Sequence, residues 1–289
     1  RSTSRGLVAL VAVCLAATVS TGSALGARQP ARSVSGNWAG YAVTGKGASA
    51  KPFTHVSGSW VVPRISCNGR GPAFSVLWVG LGGFADGDTA LEQIGTEADC
   101  TPSGRVTHSA WYELLPAAPV RLGLRVAAGD RVRASIDVRG ARVSLRIENR
   151  TRHTASVTEV RMESPGLSSA EWIVEAPSSC SRYGRCRQLP LANFGTAAFS
   201  DAAAIAGSHA GSISDDAWWA TAIELGNGDT AATYFAARPW QAQGAVSTAS
   251  PAGASPASLS EDGASFTVTW RGTPRLQPTP KRPAGPYAP

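Results

Sequence analysis

The chain has 289 residues, of which 43% are hydrophobic and 16% charged, and its formal net charge is +7. This length and composition suit one large folded domain. The positive charge is carried by Arg more than by Lys and is spread along alternating segments, as in 131–133 and 142–146, rather than gathered into a basic block with interleaved aromatic residues. The pattern argues against nucleic acid as a partner.

The chain begins with the features of a secretory signal peptide. Arg1 and Arg5 precede an apolar run over 6–19, and small residues follow as far as Ala27. The run is shorter than the roughly 20 residues that span a membrane. We therefore predict a signal peptide over 1–27 and a secreted, extracellular protein that has no membrane contact after cleavage. A retained anchor is the alternative.

The rest of the chain is dominated by short segments in which apolar and polar residues alternate, the pattern of half-buried β-strands. Gly, Pro, Asn and Asp clusters separate these segments as hairpin turns do. No amphipathic helix of twelve or more residues is predicted, and no repeat near 40 residues indicates a propeller. The strands are predicted over 56–62, 74–81, 91–97, 108–115, 120–126, 132–138, 143–147, 156–162, 170–176, 197–205, 219–225 and 266–270.

About a dozen antiparallel strands predict an all-β fold, a β-sandwich of two sheets. The domain is expected over 35–271. The segment 247–258 is rich in Ala, Ser, Pro and Gly and is predicted to be a long loop. The tail over 272–289 is rich in Pro with few apolar residues, and we expect it to be disordered.

Four cysteines remain once the signal peptide, with Cys14, is removed. An even number in an exported protein indicates two disulfides, and four cysteines allow three pairings. Cys180 and Cys186 flank a short loop and are expected to pair with each other, which leaves Cys67 to pair with Cys100. No CxxC and no Cys/His cluster is present, so no structural metal site is predicted.

Several predicted strands place aromatic residues beside acids or amides. One interpretation is a groove for an extended peptide or glycan, lined by aromatic rings with a few polar groups. The other is Trp in the core and Glu at strand ends. The segments are Asn37-Trp38-Ala39-Gly40-Tyr41, Trp78 to Gly83, Glu92-Gln93, Trp111-Tyr112-Glu113 and Glu171-Trp172.

Gln93 and Glu171 lie on two different predicted strands. If the two side chains face each other in a cleft, the carboxylate can take a proton from water while the carboxamide stabilises a developing oxyanion. Such a pair would hydrolyse a peptide bond without a Ser or Cys nucleophile and without a metal.

In their order and spacing these segments resemble the glutamic peptidases, also called eqolisins or pepstatin-insensitive acid endopeptidases. The resemblance extends over roughly 35–270. The matching stretches are Ser35 to Gly40, Val56 to Pro63, Trp78-Val79-Gly80, Gln93-Ile94-Gly95, Trp111-Tyr112-Glu113, Ala170 to Glu175, Asn193-Phe194-Gly195 and Ala198-Phe199.

The resemblance implies a concanavalin-like sandwich with a substrate groove on its concave face, and an acid-acting endopeptidase that needs no cofactor. It implies Glu171 as general base and then general acid, and Gln93 as oxyanion stabiliser. Trp78, Trp111 and Glu113 match groove-lining positions, and Trp38 is expected with them. We expect a polypeptide substrate and a monomeric protein.

Three positions leave alternatives open. Glu175 lies four residues after Glu171, on the same face of one strand, and is the alternative general base. Glu92 should point away from Gln93, as a solvated or supporting carboxylate. Where members of the family carry Asp, this chain has Gly82, and Asp86 or Asp88 is a candidate substitute.

Two other functions compete with the peptidase. A glycoside hydrolase could use Glu171 and Glu175, although about 13 Å of strand separates them and retaining enzymes hold their carboxyls about 5–5.5 Å apart. A carbohydrate-binding or adhesion module on the same sandwich would use the aromatic faces and would not need Gln93 to face Glu171.

Overall fold

The computed structural model describes residues 29–47, 50–67, 71–85, 88, 90–180, 186–226 and 253–272, without the side chains of 180, 186 and 187. The predicted signal peptide and, apart from Gly272, the predicted tail lie outside these ranges. Every regular element within them is a β-strand, and no helix there is long and apolar enough to cross a membrane. The all-β prediction is confirmed.

The strands alternate with turns along the chain. They are β1 (Ala31–Ser35), β2 (Trp38–Gly45), β3 (Phe53–Val61), β4 (Ala73–Leu81), β5 (Glu92–Cys100), β6 (Val106–Leu114), β7 (Val120–Leu122), β8 (Arg131–Arg139), β9 (Arg142–Asn149), β10 (Thr154–Arg161), β11 (Ser169–Glu175), β12 (Ser178–Cys180), β13 (Cys186–Gln188), β14 (Thr196–Ala206), β15 (His209–Gly211), β16 (Trp218–Leu225), β17 (Gly253–Pro256) and β18 (Phe266–Arg271).

The strands form two packed layers. The outer layer has the order β10-β9-β8-β3-β14-β18, and the inner layer has the order β16-β2-β11-β4-β5-β6-β7. Strand β17 pairs with both β16 and β18, so the two layers form one continuous ladder along one edge. Nearly all pairs are antiparallel, as predicted; β1 is an exception that pairs in parallel with β16.

Two sequence predictions about strands need correction. The strand predicted over 120–126 ends at Leu122. The loop predicted over 247–258 contains β17, whose Gly-Ala-Ser-Pro sequence has no apolar alternation. Its role is instead to bridge the layers: Ala254 is fully buried and pairs with both Leu225 and Trp270.

Aromatic residues fill the space between the layers. The Phe199 ring lies 5.8 Å from the Trp60 ring and stacks on Phe266 at 5.0 Å between centroids. The Trp172 indole of the inner layer donates a 2.8 Å hydrogen bond to the Ser57 carbonyl of the outer layer. These contacts lock one layer against the other at a defined position, which sets where the opposite face of β11 lies.

That opposite face of the inner layer is also covered by side chains. Strand β11 is buried at every position except its last, Glu175. Ala170, Trp172 and Val174 face the sandwich core, whereas Ile173 packs in a second apolar cluster with Trp38, Val76, Trp78, Leu91, Trp111, Leu115 and Ile223. A strand that is buried on both faces explains why this segment has no simple polar–apolar alternation.

A disulfide joins Cys67 to Cys100, as predicted, and links the segment after β3 to the end of β5. Cys180 and Cys186 face each other in register in the β12–β13 hairpin. Their side chains lie outside the described residues, so the second disulfide stays a prediction.

Glu92 points away from Gln93, as the alternation predicts, but it is not solvated. It pairs in register with Leu81 and Leu114 and is 0% exposed. One carboxyl oxygen accepts a 2.9 Å hydrogen bond from the Gly166 backbone, and the other has no partner among the described residues. Burial is the main cause that raises the pKa of Glu92 to about 8, and the nearby Asp88 contributes in the same direction.

We predict that Cys67→Ala/Cys100→Ala lowers the free energy of unfolding by about 3 kcal/mol, because the bond closes a loop in the unfolded chain. Its sequence separation is 33 residues. Denaturant unfolding with and without reductant measures the effect. Reductant should destabilise the wild type more than the double variant; equal midpoints for the oxidised wild type and the oxidised variant would contradict a stabilising role.

We predict that Glu92→Gln makes stability less dependent on pH. The folded-state pKa of about 8 lies above the ordinary value of 4.5, so the protein is stabilised at acid pH and loses that stability as the pH rises from about 4.5 to about 8. The variant should match the wild type at acid pH and exceed it near pH 8 by on the order of 3 kcal/mol. Thermal unfolding across this range is the measurement, with Glu163→Gln at an exposed position as the control. A constant difference between Glu92→Gln and wild type at every pH would refute the prediction.

Candidate active site

The inner layer presents rows of side chains on the face away from the core. Residues directly opposite each other in a sheet point to the same side. Each row runs across β11, β4, β5 and β6. The rows are Glu171–Gly80–Gln93–Glu113, Ile173–Trp78–Gly95–Trp111 and Glu175–Val76–Glu97–Ser109.

These rows form the base of a cavity of ≈ 570 Å³. Gln93, Glu113 and Glu175 line it, together with the predicted substrate-binding residues Trp38 and Trp111. The structure therefore brings together five of the residues that the sequence singled out. The other two, Trp78 and Glu171, lie on the same face outside the lining.

Glu175 is held by donors at both carboxyl oxygens. The Trp78 indole donates to Oε2 at 2.8 Å, and the Asn37 amide donates to Oε1 at 3.0 Å. Part of the Glu175 side chain stays open to the cavity. Since Trp and Asn N–H groups can only donate, both contacts favour the ionised carboxylate.

Burial outweighs these donors. Desolvation raises the pKa of Glu175 to about 8, the hydrogen bond from Trp78 acts against it, and the negative charge of Glu113 adds to the rise. Desolvation likewise raises the pKa of Glu113 to about 7, opposed by its hydrogen bond from Gln93. Two perturbed carboxyls in one cavity are typical of a functional site.

Gln93 is oriented by Glu113. Its Nε2 donates to Glu113 Oε2 at 2.6 Å, and the side chain is only 4% exposed. Its Oε1 has no hydrogen-bond partner among the described residues. The amide therefore has one N–H that Glu113 does not use, and its oxygen is buried.

Aromatic rings and one glycine shape the base of the cavity. The Trp38 and Trp78 rings meet edge to face, with centroids 5.0 Å apart. Gly95 lies opposite Trp78, and a β carbon there would come within 2.7 Å of the Trp78 Cβ and 2.1 Å of the Leu77 carbonyl oxygen. A larger residue at 95 would push the Trp78 strand away from Gln93.

Glu171 lies at the covered end of the same face. Its side chain is 0% exposed. Leu91 lines the cavity and lies 3.1 Å from the place of a Gly80 β carbon, next to Glu171 in register. The Glu171 end of the row is thus buried beside Gly80 and Leu91, whereas Glu175 lines the cavity.

Gly82, where the family has Asp, has a structural explanation. Its φ is +76°, and a β carbon would approach Gly166 Cα to 2.7 Å. Asp88 accepts hydrogen bonds from the Gly83 backbone and from Ser168, so it fastens its own loop and lies outside the cavity lining. Asp86 lies outside the described residues.

Sequence reasoning did not assign a role to Asn37. The residue was noted only for its place beside Trp38, yet it contacts Glu175 and lines the cavity. The available signal was the Ser35-x-Asn37 spacing at the end of a strand, which favours a local side-chain turn.

The cavity also holds Glu97 and Arg121 at its far side. Beside Glu97, the pKa of Asp99 is raised to about 7, chiefly by desolvation and then by the charge of Glu97. Among the described residues, no group of three or more His, Cys, Asp or Glu side chains is placed to hold a metal ion.

Comparisons with solved structures agree with this architecture. Scytalido-glutamic peptidase, solved with a peptide-based transition state analogue, matches with a TM-score of 0.58 and 22% identity over 81% of this chain and 98% of that chain. SCP-B of the eqolisin family, solved with the tripeptide Ala-Ile-His, matches with a TM-score of 0.55 and 22% identity over the same shares. At this identity the two likenesses establish the fold. No curated protein sequence matches the chain.

The family model described as Peptidase A4 matches residues 36–240, which is most of the chain and includes every residue of the cavity lining. The resemblance noted in the sequence is therefore confirmed: the chain belongs to the Peptidase A4 family of glutamic peptidases and is a peptide hydrolase.

Proposed function

We propose that the protein is a secreted, acid-acting endopeptidase in which Glu175 and Gln93 activate a water molecule against a peptide bond. The observation that carries the proposal is that these two side chains line one cavity and that each is oriented by a neighbour, Glu175 by Asn37 and Trp78, and Gln93 by Glu113. Catalytic groups are effective when their geometry is set before the substrate binds.

In the first step the Glu175 carboxylate takes a proton from water, and the water oxygen bonds to the peptide carbonyl carbon. The carbonyl π electrons move to oxygen, and the free N–H of Gln93 donates to that oxyanion. The other hydrogen of the water stays on the new hydroxyl of the tetrahedral intermediate. In the second step Glu175 returns its proton to the amide nitrogen, the C–N bond breaks, and the oxyanion re-forms a carbonyl.

We assign the base to Glu175 rather than to Glu171, which the family resemblance first suggested. A general base must reach the water that it deprotonates. Glu175 lines the cavity, whereas Glu171 is fully buried and lies outside the lining. The two glutamates share one face of β11, so only the surroundings distinguish them.

Activity in the acid range is what the family resemblance implies, and the ionisation of Glu175 sets its lower limit. The proposed base is the ionised Glu175, a form that its N–H donors favour and that desolvation opposes. The pKa of Glu113, raised to about 7, lies below that of Glu175, so Glu113 ionises first as the pH rises. Because desolvation raises the pKa of Glu175, activity should begin at a higher pH than an ordinary Glu would allow.

The same geometry disfavours a glycoside hydrolase. That mechanism needs two carboxyls on either side of the scissile bond. Of the pair Glu171 and Glu175, only Glu175 lines the cavity. The family membership likewise favours a polypeptide substrate over a non-catalytic carbohydrate-binding or adhesion module.

We also propose that the protein acts outside the cell as a monomer. The signal-like sequence at 1–27 and the Cys67–Cys100 disulfide support secretion, since disulfides form in oxidising compartments. The cavity is lined by residues of one chain, so the proposed chemistry needs no second copy.

We predict that Glu175→Gln lowers kcat/KM by about 10³-fold or more and that Gln93→Ala lowers it by about 10²-fold. Glu171→Gln should stay within about tenfold of the wild type, because Glu171 does not line the cavity. Cleavage of an acid-denatured protein, between about pH 2 and about pH 7, brackets the ordinary Glu pKa and is the assay.

Circular dichroism of each variant is the control for folding. Activity that survives Glu175→Gln and disappears in Glu171→Gln would return the base to Glu171. A folded wild type without cleavage at any pH would overturn the peptidase proposal for this chain.

A further inference from the structure

We infer that Ser35 and Asn37 form a positioning relay that orients the Glu175 carboxyl and stabilises its charged form. This inference rests on the proposed role of Glu175. In the proposed mechanism neither residue bonds to the water or to the peptide; both act through Glu175.

Three hydrogen bonds set the orientation of the Asn37 amide. The Ser35 hydroxyl donates to Asn37 Oδ1 at 3.1 Å, and Asn37 Nδ2 donates to Glu175 Oε1 at 3.0 Å. The same hydroxyl oxygen accepts the backbone N–H of Trp38 at 3.1 Å. Because Ser35 engages the oxygen end of the amide, the NH₂ end is the one that faces Glu175.

The relay is rigid because its first member has no contact with solvent. Ser35 is 0% exposed and ends β1, whereas β2 begins at Trp38. These two strands pair with β16, so Gly36 and Asn37 form the short connection between them. The Ala176 backbone N–H donates to the Asn37 carbonyl at 2.9 Å and fastens this connection to the end of β11.

Asn37 and Trp78 hold different oxygens of Glu175 from different parts of the sheet. With a donor on each oxygen, and Trp38 as a third donor, the carboxyl plane cannot rotate without breaking a hydrogen bond. Losing Asn37 would leave the contacts from Trp78 and Trp38, so the carboxyl would stay in place but lose part of its charge stabilisation.

Three other ionisable side chains line the cavity around Glu175. Glu113 on β6 raises the pKa of Glu175 by its charge. Glu97 on β5 and Arg121 on β7 also line the cavity. The donors on Glu175 therefore act against both desolvation and a like charge, and a group in that environment is sensitive to the loss of one donor.

The test compares pH profiles of kcat/KM for the wild type, Asn37→Ala and Ser35→Ala. We expect Asn37→Ala to move the acidic limb upward by about one pH unit. Ser35→Ala should move it in the same direction by less, since the amide would lose its anchor but not its donor. Asn193→Ala and Ser75→Ala are the matched controls; both residues lie outside the cavity lining, and Ser75 is also a buried serine.

A uniform loss of rate at every pH in Asn37→Ala, with an unmoved acidic limb, would overturn the relay and leave Asn37 a purely structural residue. If the pH profile of Ser35→Ala matched that of the wild type, Ser35 would not belong to the relay.

A second measurement does not depend on activity. The Glu175 carboxyl carbon, assigned by its absence in Glu175→Gln, is titrated by ¹³C NMR in the wild type and in both variants. An upward move of its midpoint in Asn37→Ala supports the relay even if the wild type cleaves no peptide, in which case only the peptidase proposal fails. An unchanged midpoint in both variants would overturn the relay.

Discussion

The burial of strand β11 on both faces is the constraint on which the site depends. Trp172 must face the core to hold the two layers together, so Glu171, Ile173 and Glu175 must face the groove. A carboxyl placed in such surroundings loses its hydration and favours the neutral form. Glu175 therefore needs donors if it is to act as a base, and its neighbours Trp78 and Asn37 are both N–H donors. Packing and chemistry are thus set by the same strand.

Acid pH favours the folded state, whereas the proposed chemistry needs the ionised form of Glu175. Glu92 in the core and Glu113 and Glu175 in the cavity have pKa values raised to about 8, 7 and 8 by desolvation. At acid pH most of these groups are neutral and burial costs little. As the pH rises, the unfolded chain ionises first, and the folded state loses stability relative to it. Because the three carboxyls are mostly neutral at acid pH, the protein needs no buried cation there to neutralise their charge.

Period-2 alternation predicted most strands and the fold class, because a half-buried strand shows its register in its sequence. It placed Glu92 on the face opposite to Gln93, but it did not distinguish Glu171 from Glu175. Residues four apart on a strand share a face, and the two glutamates differ in what other strands and connections place around them: Glu171 is fully buried and Glu175 lines the cavity. Strand β17 was missed for a related reason: Ala254 is buried by its place between two layers, not by local pattern.

The candidate site depends on the register of strands across the whole inner layer. Asn37 precedes β2, Glu175 ends β11, Trp78 lies on β4, and Gln93 and Glu113 lie on β5 and β6. A slip of one residue in any of these pairings would turn that side chain to the core face and bring a core residue into the groove. Since these strands come from distant parts of the chain, the site assembles only when the layer is fully paired. Register is fixed by contacts such as the close approach of Gly95 to Trp78 and the hydrogen bond from Trp172 to Ser57. These contacts are therefore as necessary to the proposed chemistry as the residues proposed to touch the substrate.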